Sequence, residues 1–177
     1  MAQFWKSSQD LTDIYATKKH AYIEVFHLAS GGATSFKAFI TALSDSFSLN
    51  YNSENVYGRN DPIVTFAGTT RAVNLAWDVP SNSISEAQFN MGQISKLAQF
   101  CYPAYAVSPE YGLAGAGSLS KPPLVRLKFM NLISAASRGG KITPRAESSG
   151  LLGAITGITI TPNVEIGFWE VPMASTF

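Results

Sequence analysis

The chain of 177 residues holds one cysteine, Cys101, and two histidines, His20 and His27. A single cysteine excludes an internal disulfide framework and a cysteine-rich metal site, and it fits a reducing compartment. Histidines at an odd spacing fall on opposite faces of a strand, so at most one can face a given site. No cluster of acidic residues accompanies them, so no metal ligand set is expected. Charge is scarce as well: 14% of residues are Asp, Glu, Lys or Arg, against about 25% in soluble domains. The net charge of +1 implies no bulk attraction to nucleic acid or to a membrane surface. Sparse charge permits association and suits a subunit whose faces are covered by copies of itself or by partners. No run of residues approaches the ~18 apolar positions needed to span a bilayer, and no basic segment followed by an apolar core marks a signal peptide. A soluble protein, intracellular at synthesis, is the expectation.

What is present is apolar and aromatic: 46% and 12% of residues respectively, enough for one folded domain with a real core. Residues 1–19 read as an arm or short helix carrying Phe4, Trp5, Leu11, Ile14 and Tyr15, and residues 20–177 as a single domain. "HAYIEVFHL" alternates and ends at Ser30–Gly32, the pattern of a strand closed by a turn. From Ser35 the apolar spacing changes from Phe36, Phe39, Ile40 and Leu43 to a strict alternation at Phe47, Leu49 and Tyr51. That change predicts a bulged or curved strand, or a helical turn leading into one. "GRNDP" (Gly58 to Pro62) is turn chemistry. After it, Thr69, Arg71, Val73, Leu75, Trp77 and Val79 share one strand face, with small or polar residues on the other.

Ser83 stands three residues before Glu86, the spacing of a capping box. An apolar stripe follows at Ile84, Ala87, Met91, Ile94, Leu97, Ala98 and Cys101, so a helix is expected to bury this face and to end before Pro103. Cys101 reads as a small buried hydrophobe. Residues 105–121 form the longest loop candidate. Val125, Leu127 and Phe129 make the apolar face of a further strand, with Arg126 and Lys128 on a basic face. "SRGGKITPRAESSG" reads as a second loop. At the end, Ile158 and Ile160, a Thr161–Asn163 turn, and Val164, Ile166 and Phe168 read as a hairpin. The fold class expected is α+β and mainly β: an antiparallel barrel or sandwich with a long hairpin and one flanking helix.

Catalytic chemistry is hard to build from these residues. "GLAGAGSLSK" has the glycines of a phosphate-binding loop, but Ser118 follows Gly117 where that motif needs lysine. There is no G-x-S-x-G elbow, and the carboxylates Asp10, Asp13, Asp45 and Glu54 lie in polar segments as solvated charges. Arg126, Lys128, Arg138, Lys141 and Arg145 are clustered, with only Phe129 among them to stack on a base. Salt bridges to a neighbouring subunit are an equal reading of that cluster. No catalytic residue, cofactor or metal is expected; a binding or adaptor module is the competing class.

Three segments, "YGRNDPI" (Tyr57 to Ile63), Tyr102–Pro103 and "PPLVRLKF" (Pro122 to Phe129), set within a hairpin–helix–strand order from Ala21 to Val171, resemble phage tail-tube-type baseplate proteins. The nearest kind is the tube initiator of contractile-tailed phages. The resemblance implies a structural virion protein, assembled in the host cytoplasm. Its hexameric ring would join the baseplate hub to the tail tube and line a channel through which DNA passes during ejection. A tail tube or tail terminator subunit fits the same pattern. The implied partners are copies of the chain, the hub and the tube proteins, with DNA as an unread passenger and no membrane. Tyr57, Arg59, Asp61, Arg126 and Lys128 are the expected inter-subunit contacts.

Overall fold

The computed structural model describes residues 11–37, 39–106, 118–135, 145–163, 165 and 167. In chain order these form α1 (Leu11–Lys19), β1 (Tyr22–His27), β2 (Ala33–Lys37), β3 (Phe39–Glu54), β4 (Ile63–Asp78), α2 (Ile84–Gln99), β5 (Ala104–Ala106), β6 (Ser118–Lys121), β7 (Leu124–Phe129), α3 (Ala146–Ser149) and β8 (Leu151–Ala154). The protein is mainly β, with antiparallel sheets and one flanking helix. It divides into two compact units: β3 with β4 (Phe39–Asp78), and the remainder of the chain.

The larger unit is organised on a four-stranded sheet in the order β2-β1-β7-β8. Every described ladder in it is antiparallel. The β1–β2 turn places Gly31 at φ 67, a conformation that residues with a Cβ seldom adopt. The registers put Ile23, Val25 and His27 on one face, beside Phe36, Thr34, Val125 and Phe129 on the flanking strands. Helix α2 covers this face. Leu97 and Phe100 are buried there with Ile23, Val25, Phe36, Val125, Phe129 and Ile133, and the Phe100 ring stacks on His27 at 4.9 Å between centroids. Three polar contacts tie α2 to β2. The Thr34 hydroxyl donates to Gln93 Oε1 (2.7 Å), Lys96 Nζ to the Ala33 carbonyl (2.9 Å), and Lys37 Nζ to Glu86 Oε1 (2.6 Å).

The opposite face carries Glu24 between Ser35 and Lys128. There the Ala146 N–H, at the start of α3, donates to Glu24 Oε2 at 2.9 Å. Gly150 ends α3 against Arg126. A Cβ at Gly150 would lie 2.8 Å from the Arg126 Cβ and closer still to the Ala146 carbonyl oxygen, so only glycine fits.

Several expectations need correction. The expected barrel or sandwich is not closed within one chain: among the described residues the sheet ends at β2 on one side and β8 on the other. Four strands are too few to curl round and meet. The terminal hairpin is not formed over the described part of its span. Residues 155–163 enter no ladder and are mostly exposed, including Ile158 and Ile160, whereas β8, which was not anticipated, pairs with β7. Val164, Ile166 and Phe168 lie outside the described residues. The loop expected over 105–121 begins and ends in the β5–β6 ladder, and Gly112, Gly115 and Gly117 lie outside the described residues, as do Phe4, Trp5, Arg138 and Lys141.

Helix α2 begins at the expected cap, with Ser83 Oγ accepting the Glu86 N–H at 3.2 Å. The reciprocal half of the box differs: Glu86 Oε2 accepts from the Asn82 N–H at 2.8 Å, while Oε1 takes Lys37. The larger correction concerns the face. The side of α2 that meets the sheet carries Glu86, Gln93, Lys96, Leu97 and Phe100, not the predicted stripe. Of that stripe Leu97 is buried and Ala87, Ile94 and Ala98 are half-buried, while Ile84 and Met91 are exposed, Met91 at 65%. Cys101 is exposed too, because α2 stops at Gln99 and Phe100 takes the last core position. Hydrogen-bonding residues matched to the edge strand β2 set the orientation of the helix.

Candidate functional site

The most unusual surface is the β3–β4 hairpin. Its strands are 16 residues each, about three times the usual strand length, and nearly every residue from Thr41 to Ala72 is exposed. Residues directly paired across an antiparallel ladder share a face, so the register sorts the side chains. One face carries Ile40/Trp77, Leu43/Leu75, Asp45/Val73, Phe47/Arg71, Leu49/Thr69, Tyr51/Phe66 and Ser53/Val64. The other carries Phe39/Asp78, Ala42/Ala76, Ser44/Asn74, Ser46/Ala72, Ser48/Thr70, Asn50/Gly68, Asn52/Thr65 and Glu54/Ile63. The first face is apolar and aromatic; the second is small and polar between its two end pairs.

Two bulges make this segregation possible. The register skips Thr41 on β3 and Ala67 on β4. Were Ala67 paired in the ladder instead of bulged, Val64 and Phe66 would turn to the polar face, since a shift of one residue inverts the side chains. Were Thr41 paired, Ile40 would leave Trp77. The bulged strand predicted from the change of spacing is therefore present, and it keeps large residues on one side.

On the apolar face the Tyr51 and Phe66 rings meet edge to face at 5.5 Å. Arg71 lies over the Phe47 ring, 5.1 Å from its centroid, and makes two hydrogen bonds to the Asp45 carboxylate, at 2.9 and 2.6 Å. Those bonds hold the Asp45 carboxyl below its ordinary range. Asp45, expected as a solvated charge, is thus matched, and the only two charges on this face satisfy each other. On the polar face Ser46 Oγ donates to the Ala72 carbonyl and Asn74 Nδ2 to Ser44 Oγ.

The hairpin turn holds three of the expected contact residues. Tyr57 is fully exposed, Gly58 stands at φ 88, the Arg59 N–H closes the turn on the Val56 carbonyl at 3.2 Å, and Arg59 and Asp61 are exposed. The turn brings these three together. Arg126 and Lys128 lie on β7 in the larger unit. Arg126 is partly exposed, but Lys128 is only 5% exposed, and its Nζ donates to the Met130 carbonyl at 3.2 Å. Burial lowers its pKa, and the neighbouring Glu24 works against that shift. Lys128 belongs to the interior of the larger unit because both faces of this sheet are covered; alternation alone suggested a bare basic face.

His27 is likewise interior. Burial pushes its pKa down, its Nδ1 pairs with Ser30 Oγ at 2.9 Å, and its Nε2 has no partner among the described residues. Burial raises the Glu24 carboxyl, with the Ala146 N–H and the Arg145 and Lys128 charges pulling the other way. No group of three or more His, Cys, Asp or Glu is placed to hold a metal ion among the described residues, and no described helix is long and apolar enough to cross a membrane. Sequence reasoning found the hairpin and the polar face of β4. It missed the outward face of α2 and the full extent of the hairpin's apolar face. The shift in period at Phe47 was the available signal for the latter.

Compared with known proteins, the chain matches no family model, no curated protein and no solved structure.

Proposed function

We propose that this chain is a structural subunit of a phage tail-tube-type assembly, a tube initiator that forms a hexameric ring between the baseplate hub and the tail tube of a contractile tail. The observation that carries this reading is the hairpin. A two-stranded ribbon is at best marginally stable in water, and this one exposes a long apolar face and, among the described residues, two long edges that pair with no other strand. Open edges are aggregation hazards unless something covers them. Copies of the chain supply that cover when the free edge of β3 in one meets the free edge of β4 in the next. The two edges differ, so the contact is head-to-tail and closes by rotation into a ring. The ribbons then join into a continuous barrel. Its polar face, rich in Ser, Asn and Thr and carrying no cation, only Asp78 and Glu54 at the ends of the ladder, suits a lumen that lets DNA pass without binding it, since phosphate attraction requires cations.

The exposed turn with Tyr57, Arg59 and Asp61 is the proposed contact with the adjoining layer, and Arg126, partly exposed on the inner strand β7, a further contact. Lys128 is left out because its ammonium is bonded inside the subunit. A tail tube or terminator subunit would use the same construction. The test is cryo-electron microscopy of the purified chain, alone and with the proteins encoded beside it. Rings with a strand-lined channel are expected in at least the mixed sample. Monomers in both would overturn the proposal.

A further inference from the structure

Two uncharged or charge-matched faces with exposed apolar side chains are uncovered among the described residues, and they lie in different units. One is the hairpin face centred on Phe47, which is 59% exposed. The other is the outward side of α2, where Ile84, Met91 and the following Tyr102 are exposed beside Gln88, Ser95 and Gln99. We infer that in the assembly the hairpin's apolar face in one copy is covered by the outward face of α2 in a neighbouring copy. This rests on the ring reading above and names the second contact by which the ring is held.

Three observations select α2 of another copy as the occupant. The first is charge. The only charged residues of α2 are Glu86 and Lys96, and both are held against β2, so the outward face carries none. The hairpin face carries only Asp45 and Arg71, bonded to each other. Bringing the faces together buries no unpaired charge, the costliest fault an interface can have. The second is length. Leu43 to Tyr51 rises about 26 Å along the strand, at ~3.3 Å per residue. Ile84 to Ala98 rises about 21 Å along the helix, at ~1.5 Å per residue. The third is economy of surface. A hairpin-to-hairpin contact would leave α2 bare, whereas a head-to-tail contact covers both faces of every copy and has the polarity a ring requires.

Phe47 and Met91 sit near the middle of their faces, so the pairing brings them together whichever way the helix runs across the strands. The test is disulfide cross-linking in a Cys101→Ser background, with the oligomeric state followed by mass photometry. Phe47→Cys and Met91→Cys proteins, mixed and oxidised, should give a linked dimer. Neither alone should do so, and Ser48→Cys on the polar face should not link to Met91→Cys. A dimer from Phe47→Cys alone would replace α2 with a second hairpin and overturn the inference. Rings that form without the mixed cross-link would overturn it while leaving the ring standing. A protein that stays monomeric, with neighbours present and with no cross-link, would remove both.

Discussion

Single residues decide how the subunit is held together. His27 is a neutral imidazole enclosed by Phe100 and the Ser30 turn. Its pKa lies below that of the unfolded chain, so unfolded protein binds the proton more readily. The stability His27 contributes is complete above an unfolded value of about 6.5 and is lost as pH falls. Glu24 has the opposite sign: its pKa is raised, so its contribution declines as pH rises through the acid range. Urea midpoints measured from pH 5 to 8 for the wild type and for His27→Gln separate the two. Only the wild type should show the extra loss below about pH 6.5, and parallel curves would contradict the assignment. Gly150→Ala tests packing against Arg126 and should cost about 1–3 kcal/mol in chemical denaturation. An unchanged midpoint would mean that α3 can shift aside at no cost. Neither role was legible beforehand. The alternation showed His27 in a strand, but its partner Phe100 lies far along the chain, and no local pattern marks Gly150 as the place where α3 meets β7.

At the scale of elements, strand alternation and capping chemistry read well, because both are local. β1, β4 and β7 lie where alternating residues put them, α2 starts at Ser83, and the bulged β3 follows from the changed spacing. What the apolar stripe of α2 did not reveal is its direction. A stripe marks a face that needs cover without saying which body covers it, and here β2 takes the side with Glu86, Gln93 and Lys96. Glu86 joins the helix start to β2 through Asn82 and Lys37. Glu86→Ala should therefore cost about 1–2 kcal/mol, the upper range for lost caps, and should be read by thermal or urea unfolding. Deleting Ala67 removes the β4 bulge. Phe66 then adjoins Gly68 directly and stays opposite Tyr51, with Val64 opposite Ser53, so both faces keep their side chains and assembly seen by mass photometry should survive. Assembly lost on this deletion would show that copies recognise the bulge itself and not the segregated faces.

At the scale of the whole molecule, the described residues leave several surfaces uncovered: the edges of an open sheet, a bare ribbon and the outward side of α2, with few charges among them. Composition hinted at this through the scarcity of charge, and the register of the hairpin turns the hint into two chemically distinct faces. Reversing Arg126 and Lys128 together is a poor test of assembly, since Lys128→Glu places a second carboxylate beside buried Glu24. Phe47→Asp is better, because it adds charge to the hairpin's apolar face and replaces none of the buried core residues; it should leave the monomer folded and eliminate rings. The most direct measurement is a density map of the chain assembled with its neighbours, at a resolution that traces β3 and β4. Backbone hydrogen bonds should run from β3 of each copy to β4 of the next around a polar-faced channel. A map in which each ribbon's edges are covered only by its own chain would contradict the proposed ring.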